Sequence, residues 1–184
     1  MTNYEWSYRA FAVGALVLAA SLYAHAVEPD EFKQRCAAYQ ALRTDAGKGL
    51  ADLGKNPTPE EIKKHRESLR ARLAELRADA EPGEILTPAM FEVVAAVRSE
   101  TAGAQGKAAR ETVLGDGNPS KEGIRVPLKI NAPYDAPLST VPPDLLARLP
   151  ELPENLQYRF VGKSLILYDV EADMVVDYIS GAVK

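Results

Sequence analysis

The spacing of apolar positions changes partway along this chain. Early on, Phe32, Cys36, Tyr39 and Leu42 recur at steps of three and four, which places them on one helical stripe. Pro29-Asp30 opens that stretch, Gly47 and Gly49 weaken its far end, and Gly54 with Asn56-Pro57 stops it. A second helix is predicted from Thr58, an N-cap residue followed by Pro59 at the first helical position. Glu61, three residues after the cap, completes the pattern of a capping box. Its apolar stripe of Ile62, Leu69, Leu73 and Leu76 is narrow, Arg66 interrupts it, and Pro82-Gly83 closes the helix. Thr87-Pro88 opens a third helix, with Met90, Phe91, Val94 and Val97 as its buried positions.

Beyond the turn-rich segment Gly115–Gly123 the period becomes two. Ile124, Val126, Leu128 and Ile130 alternate with Arg125, Pro127, Lys129 and Asn131, as in a half-buried strand, and Pro127 confines that strand to an edge or a bulge. A proline-rich run leads to a short helix carrying Leu145, Leu146 and Leu149. The stretch from Tyr158 to Ile179 reads as a meander. Gly162-Lys163 suits a two-residue type II′ turn, and Glu171-Ala172-Asp173 suits a second hairpin loop. The expected class is α+β: an N-terminal helical hairpin or three-helix unit, then a small β-rich domain of strand, short helix and three-stranded antiparallel meander. The expected boundaries are a signal peptide over 1–26, a helical region over 27–114, a linker over 115–123 and the small domain over 124–184.

The first residues set the expected address. Arg9 precedes an uncharged apolar run, Ala10 to Tyr23, and Ala24-His25-Ala26 follows with small residues where a signal peptidase cuts. The run is shorter than the roughly 20 apolar residues of a membrane span. The expectation is therefore a periplasmic or secreted protein cleaved after Ala26, the alternative being an inner-membrane anchor through an uncleaved leader. The formal charge of −4 has its signs mixed along the chain, which gives no clustered basic face for nucleic acid. Cys36 is the only cysteine, so an internal disulfide is impossible. A small buried apolar residue is favoured there over a disulfide-linked dimer.

Candidate chemistry is sparse. On a three-residue loop, Asp169 and Asp177 sit diagonally on one face, about 7–8 Å apart, a separation that overlaps an inverting carboxylate pair. Their neighbours are Leu165, Leu167, Val175 and Ile179, without stacking residues or a second acid–base partner, so two solvated side chains are expected. His65 lies between Lys64 and Arg66 on a charged helix, where it is expected at the surface. Ser68 shares that helix, but nothing in the pattern supplies an oxyanion hole. A zinc site would need three or four ligands, more than His65, Cys36 and scattered acids provide. Gly162-Lys163-Ser164 imitates a phosphate-binding loop, yet Gln157 stands where that loop needs glycine, and Ser164 opens a strand. No catalytic, metal or cofactor-binding residue is assigned, and no cofactor is expected. The six residues Ile166, Tyr168, Val170, Met174, Val176 and Tyr178 form one apolar face of the meander, the candidate interaction surface. The opposite face is also largely apolar, and both need cover. The short Leu145–Leu149 helix could serve one side; the helical region, another subunit or a ligand would serve the other.

Three resemblances accompany this pattern. The run INAPYDAPLSTVPPDLLARLPELPENLQYRFVGKSLILYDVEADMVVDYI, within Arg125 to Ile179, resembles the C-terminal part of a family of exported bacterial proteins of unknown function, which implies export. The closing meander, with its aromatic, valine, glycine, aliphatic run and final Val-Asp, is similar to the end of periplasmic nickel/cobalt-homeostasis proteins. PTPEE and LTPAM at two helix starts resemble the Leu-Thr-x-x-Gln motifs of helical periplasmic stress chaperones and metal sensors, although both lack the glutamine. The leading expectation is an exported envelope accessory or interaction protein without catalytic activity. Its partner would be an unknown envelope protein or a second copy. A stress chaperone or metal-responsive protein is the alternative, and a carboxylate-dependent hydrolase stands behind it.

Overall fold

The computed structural model describes residues 29–87, 90, 94–95, 111 and 127–182. Among the described residues the elements with defined bounds are α1 (Pro29–Gly47), α2 (Pro59–Leu76), α3 (Pro143–Leu146), β1 (Leu156–Val161), β2 (Ser164–Asp169) and β3 (Met174–Ile179). The architecture is α+β, an N-terminal helical unit followed by a small antiparallel sheet in the order β1-β2-β3. The leader 1–26, the segment 115–123 and Ile124–Val126 lie outside the described residues. So do Phe91 and Val97 of the third predicted helix, whose Met90 and Val94 are helical and buried.

The capping box forms as its residue types require. The Glu61 amide donates to Thr58 Oγ1 at 3.2 Å, and the Thr58 amide donates to Glu61 Oε2 at 2.8 Å. The Thr58 amide holds the Glu61 carboxyl below its ordinary range. Leu69 and Leu73 carry the seam of α2, whereas Leu76 is 49% exposed, because the helix ends there instead of running on to Pro82. On α1, Phe32, Cys36, Tyr39 and Ala46 are buried. From α2, Arg72 Nη1 meets the last turn of α1 and the turn after it, donating to Ala46 O at 3.1 Å and to Lys48 O at 2.5 Å. One apolar core joins α1, α2, Ile85, Leu86, Val141 and Leu149 to the inner face of the sheet.

The β1–β2 hairpin turns on Gly162-Lys163. Gly162 has φ +56° and Lys163 is not among the residues with positive φ, the type II′ pattern. The second hairpin departs from expectation. Asp169 pairs with Met174, so the loop spans Val170–Asp173, and Asp173 takes the left-handed conformation at φ +54°. The β2–β3 register then slips between Leu167 and Tyr168: Leu167 pairs with Asp177 and Tyr168 with Val175, leaving Val176 as the extra residue of a bulge. A bulge breaks alternation, and here it turns both Val176 and Asp177 toward the helices.

Among the described residues the outer face is covered by an extended segment of the chain itself. Pro127–Ile130, expected as strand, forms no regular strand, and the chain crosses the sheet as a strap. At one end Asn131 N donates to Val175 O at 2.8 Å and Val175 N donates to Ala132 O at 2.9 Å. At the other, Ser139 N donates to Phe160 O at 3.0 Å and Phe160 N donates to Ser139 O at 2.9 Å. Both edge strands are thereby touched. An extended chain rises about 3.3 Å per residue, so the seven steps from Ala132 to Ser139 suffice to cross three strands. Prolines at 133 and 137 favour that extension. The strap alternates as it crosses: Pro133, Asp135 and Pro137 are exposed, while Tyr134, Ala136 and Leu138 pack on Val161, Ile166, Tyr168 and Val175.

Candidate functional site

The two aspartates are not solvated: Asp169 and Asp177 are both fully buried. Each is built into a different joint. Asp177, delivered inward by the bulge, accepts from the amides of Gly83 (2.7 Å), Ile85 (2.6 Å), Leu86 (2.7 Å) and Tyr178 (2.7 Å). Burial pushes its carboxyl above the ordinary carboxylate range, and the four amides pull it back. Asp169, at the end of β2, accepts from Tyr39 Oη (2.7 Å), Arg43 Nε (3.0 Å) and Asn155 Nδ2 (3.3 Å), and from the amides of Glu171 (3.0 Å) and Ala172 (2.9 Å). Burial, then the Asp169 charge, pushes the Tyr39 hydroxyl far above the usual tyrosine range. Arg43 also pairs with Glu171. Both carboxylates fasten loops and helices to the sheet.

The other residues considered for chemistry stand apart. His65 is half-buried, and its Nδ1 lies 3.1 Å from Ala51 O in a shallow depression of about 310 Å³ lined also by Asp52, Glu61 and Ser68. Cys36 is buried, and desolvation raises its thiol to about 11. Among the described residues no group of three or more His, Cys, Asp or Glu side chains is placed to hold a metal ion. A mixed-charge cleft of about 620 Å³ runs beside α2 past Lys63, Arg66, Glu67, Arg70, Asp135 and Asp173. Arg70 is engaged there, donating to Ala172 O at 3.1 Å and Asp173 O at 2.9 Å.

The six residues of the expected interaction surface do not share one face. Ile166, Tyr168, Val170 and Tyr178 lie on the outer side beneath or beside the strap, whereas Met174 and Val176 are in the core under the helices. The bulge and the one-residue register difference cause the split. Ile166, Met174 and Val176 are wholly inaccessible.

An open surface lies instead along β1, at a groove of about 590 Å³. Its apolar wall is Val141, Leu146, Leu149, Leu152, Leu156 and Tyr158, with Gln157 and Arg159 on the strand. Leu146, on α3, is 49% exposed at its rim. Phe160 turns its N–H and C=O away from β2 to meet Ser139. By the two-residue repeat of an antiparallel ladder, Tyr158 points its own N–H and C=O to the same open edge. The strap leaves that edge at Thr140. No backbone group among the described residues pairs with the Tyr158 N–H, and its carbonyl receives only Arg159 Nη1 at 3.4 Å. The Arg159 guanidinium, half-buried, otherwise meets the neutral side-chain oxygen of Gln157.

Arg77 is a further buried residue that spacing did not single out. Its side chain donates to Asn131 Oδ1 (2.9 Å), Val176 O (3.1 Å) and Glu84 Oε2 (3.1 Å), and it lies 5.2 Å from the Tyr39 ring centroid. Asn131 Nδ2 donates back to Arg77 O at 2.7 Å, which ties the start of the strap to the end of α2. Among the described residues no helix is long and apolar enough to cross a membrane. No protein-family model matches the chain, and no curated protein or solved structure is similar to it.

Proposed function

We propose that this protein is an exported, non-catalytic accessory or interaction protein of the bacterial envelope that holds a partner in the groove beside β1. The observation that carries this reading is the combination at that groove of an exposed leucine, an apolar wall and, among the described residues, an unpaired strand-edge amide at Tyr158. The charged side chains of Asp169, Asp177, Arg70 and Arg77 are engaged with backbone and with other side chains, which favours architecture over reactivity at those positions. The leader pattern up to Ala26 supports export.

A photo-crosslinking residue in place of Leu146, in cells of the native host, tests this reading. A discrete adduct from position 146 that is absent from the exposed control position Lys163 is expected. Equal or no adducts at both positions would overturn it. Sequencing the N-terminus of the envelope-extracted protein tests the address, with Val27 expected first and Met1 or Thr2 the contrary result.

A further inference from the structure

The strap occupies the β3 edge at Val175 and the β1 edge at Phe160, and its inward residues cover the outer face. At Tyr158 the edge is left open, and there the groove adjoins it. A sheet edge with unpaired N–H and C=O groups is a template for another strand. An apolar slot beside such an edge adds side-chain selectivity to the backbone bonds.

The two sides of β1 differ at this point. Leu156 and Tyr158 face the helical side, toward Val141, Leu149 and Leu152. Gln157 and Arg159 lie on the alternate side of the strand. Arg159 has no carboxylate partner among the described residues. A half-buried guanidinium that meets only neutral oxygens among the described residues is electrostatically incomplete there, and a carboxylate on a ligand completes it.

We infer, resting on the binding role proposed above, that the groove accepts an extended peptide that adds antiparallel to β1 at Tyr158, with apolar side chains alternating with acidic ones. The apolar residue opposite Tyr158 exchanges both backbone bonds with it and directs its side chain into the slot. The acidic neighbours fall on the Arg159 side. In an antiparallel hydrogen-bonded pair the two residues share a face. The amides that bond β1 are therefore those of the apolar residues.

The probe is a fluorescein-labelled heptapeptide of alternating leucine and aspartate, capped at both ends, titrated against the full chain by anisotropy. Saturable binding is expected. N-methylation of the leucine amides should weaken it by at least about tenfold, and N-methylation of the aspartate amides by less than about threefold, because the latter point away from β1. Replacing aspartate with asparagine should weaken binding about tenfold to the wild-type protein but little to Arg159→Gln, with circular dichroism checking that the variant folds. Equal tolerance of both methylation patterns, or loss on aspartate methylation alone, overturns antiparallel strand addition. Absence of binding by the unmethylated peptide overturns it as well. If Leu146 still traps a partner in cells under either result, the binding role stands without this ligand; if it does not, both fall.

Discussion

Replacing Asp177 with asparagine keeps the side chain's shape and removes its charge, which isolates what the carboxylate does. Oδ1 accepts the Gly83 and Tyr178 amides, and Oδ2 accepts those of Ile85 and Leu86. An asparagine has one oxygen, so in either orientation its NH2 group points at two backbone donors. Two backbone amides are left without acceptors, either the buried pair at Ile85 and Leu86 or the half-buried pair at Gly83 and Tyr178, at about 1–3 kcal/mol each. The remaining pair loses charge assistance, roughly 1 kcal/mol per bond. Against this, the raised pKa of Asp177 shows that burying the charge is costly, and neutralising it returns part of the loss. The net expectation is a destabilisation of about 3–5 kcal/mol, a large share of the 5–15 kcal/mol typical of a domain. Urea unfolding should show the midpoint falling by roughly 2 M, at a slope near 2 kcal/mol/M. Amide exchange should show Gly83, Ile85 and Leu86 losing protection in the variant first. The exposed Asp52→Asn control should stay within about 0.5 kcal/mol. A loss below about 1 kcal/mol for Asp177→Asn, with exchange unchanged at 83–86, would refute the account of this carboxylate as a staple.

Cys36 should react with a bulky disulfide reagent only after unfolding, and the purified protein should contain no Cys36-linked dimer; rapid native labelling would place the thiol at the surface. Its thiol ionises near 9.0 in an unfolded chain and near 11 in the fold, so the folded state holds the proton more tightly. The associated stability is full below pH 9 and is lost as pH rises toward 11, by about 2–3 kcal/mol. Cys36→Ala should remove that part of the alkaline decline in urea midpoint. Arg77→Lys keeps the charge but cannot span Asn131, Val176 and Glu84 from one planar fork, so a loss of about 2–3 kcal/mol is expected by thermal unfolding. Among the described residues Ser139 Oγ is buried without a hydrogen-bond partner, so Ser139→Ala should raise the unfolding free energy by about 1 kcal/mol; a fall would show that the hydroxyl is satisfied.

What was legible in the sequence were the features whose cause is local. The capping box at Thr58 and Glu61 depends on residue types three positions apart, and Gly162-Lys163 depends on one glycine with positive φ. The stripe of Phe32, Cys36, Tyr39 and Leu42 is a periodicity; its first three members are buried and Leu42 is half-buried. The failures are non-local. A bulge moves one residue without a compositional mark, so Met174 and Val176 were placed with Ile166, and Asp177 was left in solvent. The alternation that marks the cover lies in APYDAPLS, where Tyr134, Ala136 and Leu138 recur at period two among exposed Pro133, Asp135 and Pro137. Those prolines suggested only a connection; their extended backbone is what lets the segment serve as cover. Arg77 and Asn131 gave no periodic signal, because their roles depend on contacts across the fold.

Crowding of acceptor sites decides between the architectural and catalytic readings of the late aspartates. An ionised carboxylate offers about four lone-pair positions. Asp177 uses four on amides, and Asp169 receives five donors from Tyr39, Arg43, Asn155, Glu171 and Ala172. A general base needs a free lone pair within reach of a substrate proton, and an inverting pair needs room for water between its members. Neither condition is met by side chains that are fully buried and saturated by the protein's own groups. Among the described residues the same accounting leaves the Tyr158 backbone and the Arg159 guanidinium with hydrogen-bonding capacity to spare, side by side on one edge. Unused polar capacity beside an apolar slot is what a binding surface requires, and this is the physical reason to look for the protein's role along β1 and not between its acids.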